Sequence, residues 1–168
     1  MKQLIECVPN FSEGNDLAII QQITGVIESV DGVKLLNVDP GKATNRTVVT
    51  FVAEPGPVVE AAFLAIKKAA ELINMALHNG EHPRMGATDV CPFIPVANIT
   101  LEEAAEWSKK LAARVGNELA IPVYLYEAAQ PDAGRNNLSV IRAGEYEGFS
   151  KKIKDPAWKP DFGPVEFN

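Results

Sequence analysis

Cysteine is scarce in this sequence: Cys7 and Cys91 are the only two among 168 residues. That excludes a disulfide framework and any Cys-x-x-Cys motif, and it fits a reducing compartment. Apolar runs are short, and none approaches the roughly 20 residues a membrane helix requires. The N-terminus, Met-Lys-Gln-Leu-Ile-Glu-Cys, carries charge before any apolar stretch long enough for a signal peptide. A cytoplasmic, unanchored chain is therefore expected. Long basic runs are missing and the formal charge is −6, which disfavours nucleic acid and anionic membranes as partners. An anionic small molecule would need a local basic pocket working against that global field. Phosphate loops, dinucleotide fingerprints and nucleophile elbows are absent, as are internal repeats and low-complexity linkers. Histidine is as rare as cysteine, with only His78 and His82.

What is present is the composition of a soluble domain: 46% apolar and 23% charged residues. The length is enough for one domain, over 1–168, with a proper core and no stabilising metal or disulfide. Residues 3–8 read as a strand, stopped by the turn formers of Pro9 to Gly14. Asn15 or Asp16 caps a helix to about Val30, with Leu17, Ile20, Ile23, Ile27 and Val30 stepping by three and four. Val33–Val38 and Thr47–Val52 are strands joined by a loop through Asp39-Pro40-Gly41. Glu54-Pro55-Gly56-Pro57 leads into a long helix over about Val58–Leu77. Gly80 and Pro83 forbid its continuation.

Val90–Val96 reads as a fourth strand. Its two prolines each remove a ladder donor, which places it at a sheet edge or on a bulge. Thr100-Leu101-Glu102-Glu103 is a capping-box signature that opens a helix to about Leu119. Residues 122–126 read as a fifth strand, and short helices come next over Leu138–Arg142 and Tyr146–Lys152. The order β-α-β-β-α-β, then α-β, predicts an α+β two-layer sandwich. Its core is ferredoxin-like, βαββαβ with an added α-β, a mixed sheet and helices on one face. Sheet order 4-1-3-2 brings Cys91 near Cys7 as reduced, buried thiols.

His82 is the sharpest candidate for chemistry near neutral pH. Histidine exchanges protons there, and this one sits in a tight loop between Glu81 and Pro83. A solvent-facing loop histidine is the plainer alternative. His78-x-x-x-His82 has the spacing of a helical zinc pair, but Gly80 and Pro83 interrupt the helix and no third ligand is evident, so no metal is expected. His78 reads as a helix-end residue favoured by the dipole. Asp39 is a candidate to orient an imidazole or hold a substrate ammonium, or it simply caps its turn. Asn45 and Arg46 offer amide and guanidinium groups at a strand entrance. Arg46, Arg84 and Arg142 are the best local cations for a carboxylate, which a guanidinium grips with a bidentate fork. The loop Asn10–Gly14 precedes a helix N-terminus and is a weak anion-site candidate.

Longer motifs are more specific. Glu6-Cys7-Val8-Pro9-Asn10-Phe11-Ser12-Glu13-Gly14, Thr44-Asn45-Arg46-Thr47, Gly80-Glu81-His82-Pro83-Arg84-Met85-Gly86-Ala87, Asp89-Val90-Cys91-Pro92-Phe93-Ile94-Pro95-Val96 and Pro122-Val123-Tyr124-Leu125-Tyr126 occur in order. So do Ile141-Arg142-Ala143-Gly144-Glu145-Tyr146-Glu147 and Pro160-Asp161-Phe162-Gly163-Pro164. Together they resemble the N-terminal subdomain of glutamate formimidoyltransferase (formiminotransferase), a folate-dependent enzyme of histidine catabolism and one-carbon metabolism, often fused to a cyclodeaminase. The resemblance implies transfer of a formimino group from N-formimino-L-glutamate to tetrahydrofolate as co-substrate, with His82 as the catalytic base.

It also implies that Gly163, Pro164 and the residues C-terminal to them contribute to the folate site, and that a second, C-terminal subdomain lies outside 1–168. The missing wall would come from a partner chain carrying that subdomain or from a homodimer. The alternative implied is a non-catalytic folate-binding, structural or regulatory homologue.

Overall fold

The computed structural model describes residues 1–166. The strands are β1 (Leu4–Cys7), β2 (Asn10–Phe11), β3 (Lys34–Gly41), β4 (Arg46–Ala53), β5 (Thr88–Val90) and β6 (Phe93–Ala97). The helices are α1 (Leu17–Glu28), α2 (Pro55–Leu72), α3 (Leu101–Glu118), α4 (Leu138–Arg142) and α5 (Glu145–Lys152). β4 pairs with β1, β2 and β3, while β1 pairs with β6 and β2 with β5.

β1 and β2 are one strand broken at Pro9, and β5 and β6 are one strand broken at Pro92. Pro92 falls opposite Val8 and Pro9 opposite Cys91, one step apart in the register, and each proline lacks the N–H the ladder needs, so the two strands break side by side. The interruption is bridged by Val8 N–H to Pro92 O at 3.3 Å and Val49 N–H to Pro9 O at 3.0 Å. With these pieces joined, the order is the predicted 4-1-3-2, and the Pro-rich strand lies at the edge.

Three expectations are corrected. All the pairings between these strands are antiparallel, so the sheet is not mixed. The fifth strand expected at 122–126 does not join the sheet: among the described residues that segment makes one bridge, Val123 with Phe162. It turns instead to the C-terminal stretch, where the Tyr124 hydroxyl donates to Trp158 O and the Leu125 N–H to Asp161 Oδ2. The helix through Leu77 ends earlier, at Leu72. Ile73 is extended, and the Asn74 side chain accepts the Ala76 N–H to start a separate 3-10 turn over Met75–Leu77. An Asx cap of this kind competes with helix continuation.

Strand alternation places Thr47, Val49, Phe51 and Ala53 of β4 inward, beside Ile5 and Cys7. Ile23 and Ile27 of α1 and Val58, Ala61, Ala62, Ala65 and Ala69 of α2 cover that face. The small alanine row lets α2 approach closely, and Phe51 and Phe11 fill the space. Asp16 caps α1 by accepting from Ala18 and Ile19, and the capping box of Thr100 and Glu103 is formed. The opposite sheet face has no helix against its edge strand: Ile94 and Val96 stay 42% and 53% exposed. Cys7 and Cys91 are free, with sulfurs 3.6 Å apart. Cys7 is buried, whereas Cys91 is half-buried rather than buried. Among the described residues no helix is long and apolar enough to cross a membrane.

Candidate functional site

Arg46 opens β4 on the uncovered face, and Asn10 of β2 lies beside it. Arg46 Nε and Nη2 both donate to Asn10 Oδ1, at 3.0 and 2.6 Å. Asn10 is itself buried, and its amide donates to Val8 O at 3.2 Å. The guanidinium is thus aimed rather than floating, and its remaining arm, Nη1, lies against Nδ1 and Nε2 of His82. The Pro83 carbonyl, 2.7 Å from His82 Nδ1, can only accept. A proton on Nδ1 serves that carbonyl, and Arg46 Nη1 lies against the ring edge between the two nitrogens.

A second pair adds to the local field. Arg142 Nη2 donates to Asp89 Oδ2, and Asp89 Oδ1 accepts the Met85 N–H at 2.7 Å. Among the described residues Arg142 Nε is buried without a hydrogen-bond partner. Burial first, and then the neighbouring Arg142 charge, lower the Arg46 pKa from its ordinary value. Two guanidiniums against one carboxylate leave this end of the sheet positive, although the chain as a whole is acidic. Burial pushes the nearby Tyr126 hydroxyl upward, with further upward contributions from Cys91, Cys7 and Asp89.

The loop that carries His82 is pressed onto the β3–β4 turn. Glu81 N–H donates to Ala43 O at 3.2 Å. A Cβ on Gly80 would lie 2.1 Å from Thr44 O, so only glycine fits there. Asn45 has a left-handed backbone, φ 48°. Its Oδ1 accepts from Gly14 N–H and Asn15 Nδ2, both at 2.9 Å, and its Nδ2 donates to Asn79 O at 3.0 Å.

The candidates from sequence thus separate. His82 and Arg46 are brought together. Asn45 sits next to them, with its amide spent on joining three loops. Arg84 is corrected: far from being an open cation, it is 5% exposed. Its five N–H groups all have partners within the protein, namely His78 and the Glu145 and Glu147 carboxylates. Asp39 is exposed on β3, paired through its backbone with Val48 two strands from Asn10. It lies about 10 Å from Asn10 by strand spacing, and its carboxylate has no partner among the described residues. Gly163 and Pro164 lie against the end of α3 and the segment after it. Gly163 has φ +86°, and a Cβ there would meet Ile121 O at 2.3 Å. Neither residue bonds to His82 or Arg46. The stretch after Pro164 is described through Glu166, and Phe167 and Asn168 lie outside the described residues.

The donors of the Asn10–Gly14 loop are consumed internally: Ser12 bonds to Gly86 and Ala87, and Gly14 to Asn45. His78 and His82 do not share a helical turn, because Met75–Leu77 is a single 3-10 turn that ends before His78. Sequence reasoning missed Asn10 as the holder of Arg46, and it missed Glu145 and Glu147. The only available signal was an acidic pair in the first turn of a short helix, which is normally read as dipole complementation.

The α+β sandwich thus brings a histidine and an arginine together at one end of its sheet. Residues 4–168 match the model of the formiminotransferase domain, N-terminal subdomain, and the chain belongs to that family. It is 53% identical over 167 residues to formimidoyltransferase-cyclodeaminase of Dictyostelium discoideum, covering 99% of this chain and 31% of that protein. It is 45% identical to glutamate formimidoyltransferase of Streptococcus pyogenes serotype M1, covering 97% of this chain and 54% of that one. The Thermoplasma acidophilum protein of the same name is 48% identical, over 96% of this chain and 54% of its own length. The chain thus spans about half the length of these two transferases and about a third of the bifunctional protein.

Proposed function

We propose that this chain supplies the histidine-bearing half of a glutamate formimidoyltransferase, moving a formimino group from N-formimino-L-glutamate to N5 of tetrahydrofolate. The observation that carries the reading is the Arg46–His82 pair. It is a proton-exchanging imidazole beside an aimed guanidinium, in a locally positive corner of an acidic chain. N5 of the folate attacks the amidinium carbon, forming a C–N bond and a tetrahedral carbon. His82 Nε2 takes the N5 proton and returns a proton to the glutamate nitrogen as its C–N bond breaks. Arg46 binds a substrate carboxylate, and that exchange of partners frees the imidazole edge. Gly163 and Pro164 border the folate, and Asp39 faces a substrate ammonium or amidinium.

A second wall completes the site. The first choice is the C-terminal subdomain on the same or a partner chain, and a homodimer is the other source. The uncovered sheet face, with Ile94 and Val96 exposed, supports such a partner. The setting would be cytoplasmic histidine catabolism and one-carbon metabolism.

One observation favours a second reading, a folate-binding or structural homologue without turnover: Arg46 lies against the ring edge a base must offer. The test is formimino transfer by the chain combined with a C-terminal subdomain, alongside calorimetric titration with 5-formyltetrahydrofolate. Transfer that disappears in His82→Ala supports catalysis. Folate binding without transfer supports the second reading, and neither result with any partner overturns both.

A further inference from the structure

His78 is only 9% exposed. Its position after the 3-10 turn Met75–Leu77 gives it an extended backbone, φ −78° and ψ 133°, and points the chain toward the β3–β4 turn. Arg84 Nε donates to its Nδ1 at 2.9 Å, and its Nε2 lies 2.8 Å from the backbone oxygen of Asn45. A guanidinium can only donate and a carbonyl can only accept. The ring is therefore the Nε2–H tautomer, bonded at both nitrogens.

The connections on either side are just as fixed. Arg84 Nη2 also donates to the His78 carbonyl at 3.1 Å, so one guanidinium grips both the side chain and the backbone of His78. Its other N–H groups hold Glu145 at 3.1 Å and Glu147 at 2.8 and 2.6 Å, in the first turn of α5. The backbone joins in, with Tyr146 N–H donating to Arg84 O at 3.1 Å. On the far side, Asn45 carries the connection to Asn79, Gly14 and Asn15. The four residues between His78 and Pro83 include His82, and they are anchored at both ends by this chain of bonds.

We propose that His78 is a positioning residue for His82. Its Nε2–H tautomer is the joint that fastens the 79–83 loop between the Asn45 turn and the Arg84–α5 clamp. The catalytic consequence rests on the reading of His82 as the base, whereas the structural consequence does not. A misplacement of ~1 Å costs a reaction on the order of 100-fold when it moves a reacting group. A loosened joint therefore lowers kcat far more than it raises KM.

The test has two arms. In the chain alone, long-range proton–nitrogen spectra of the two histidines are expected to show His78 with a bare Nδ1 and a protonated Nε2. Hydrogen exchange is expected to protect the Asn45 and Glu81 amides, and His78→Leu removes that protection while the β4 amides keep theirs. In the enzyme completed by its C-terminal subdomain, His78→Leu is expected to lower kcat about tenfold or more with little change in KM, and His78→Gln, which keeps a donor and an acceptor, recovers part of the loss. An Nδ1–H tautomer, or unchanged Glu81 exchange in His78→Leu, overturns the proposal. If His78→Leu fails to fold, the tautomer of the unaltered chain still decides. If His82→Ala retains turnover, the base assignment falls while the tautomer and exchange results stand by themselves.

Discussion

Arg46 and His82 are 36 residues apart in sequence, and the guanidinium Nη1 lies against both ring nitrogens of the imidazole. The contact exists because Asn10 holds the opposite edge of the guanidinium, at 2.6 and 3.0 Å. Under the proposed function, a carboxylate-bearing substrate would compete with the imidazole for Nη1 and so free the ring as it binds.

Arg46→Lys keeps the charge but loses the planar fork that Asn10 grips. KM for formiminoglutamate is expected to rise about tenfold or more, the cost of one charge-assisted hydrogen bond of roughly 1.5–3 kcal/mol. Steady-state kinetics with the second subdomain present measure it, and an unchanged KM excludes Arg46 from substrate binding.

Gly80→Ala places a methyl 2.1 Å from Thr44 O, a backbone atom that cannot swing aside. Either the His82 loop lifts from the β3–β4 turn or that turn moves. A destabilisation of about 1–3 kcal/mol is expected, read as a drop in thermal midpoint, together with lost exchange protection at Glu81. Gly25→Ala meets no atom within 4 Å in the middle of α1 and is expected to stabilise by about 0.5–1 kcal/mol.

Acid is expected to loosen the Arg84 clamp. The Arg84 hydrogen bonds hold the Glu147 pKa at about 2, against 4.5 for a free glutamate. A carboxylate whose pKa is lowered by folding contributes its stabilisation above the unfolded value and loses it as pH falls through the folded one. Amides near Arg84 and Tyr146 should therefore keep full protection above about pH 4.5 and lose it toward about pH 2. The Glu147 side chain is 64% exposed, so solvent screening keeps the global effect small and the change local. Exchange rates that stay flat across that window, or the same acid response in Glu147→Gln, contradict the assignment.

The two thiols should react in order. Cys7 is fully buried, and burial pushes its thiol pKa well up, with Cys91 adding to the shift. Cys91 is half-buried and lines the apolar cavity of about 770 Å³ under α3. Iodoacetamide labelling read by peptide mass spectrometry is expected to modify Cys91 first, and Cys7 only as the chain unfolds. Simultaneous labelling under native conditions contradicts this burial order.

Much of the fold was legible because its signals are local. The three-and-four stripe from Ile20 to Ile27, the Asp16 cap and the Thr100–Glu103 box each involve residues within one or two helical turns. Pro92 and Pro95 marked an edge strand because a missing N–H cannot be tolerated inside a sheet. The segment 122–126 misled because alternating aliphatic and aromatic residues suit any half-buried extended chain. Val123 and Tyr124 use that pattern to pack on Phe162, Trp158 and Phe149 rather than to join a ladder.

By itself the sequence determined that His82 stands in a loop: Gly80 and Pro83 forbid a helix through it, even though the helix before it already ends at Leu72. It also determined which guanidiniums were available. Only the tertiary structure decided their roles, because a buried arginine is defined by the acceptors folded around it. Asn10 turned Arg46 toward an imidazole, whereas Glu145 and Glu147, 61 and 63 residues downstream, took Arg84 out of reach of any ligand. No periodicity or cap records such pairings. They arise from which polar groups are left without water when the sheet edge, the β3–β4 turn and α5 close on one another.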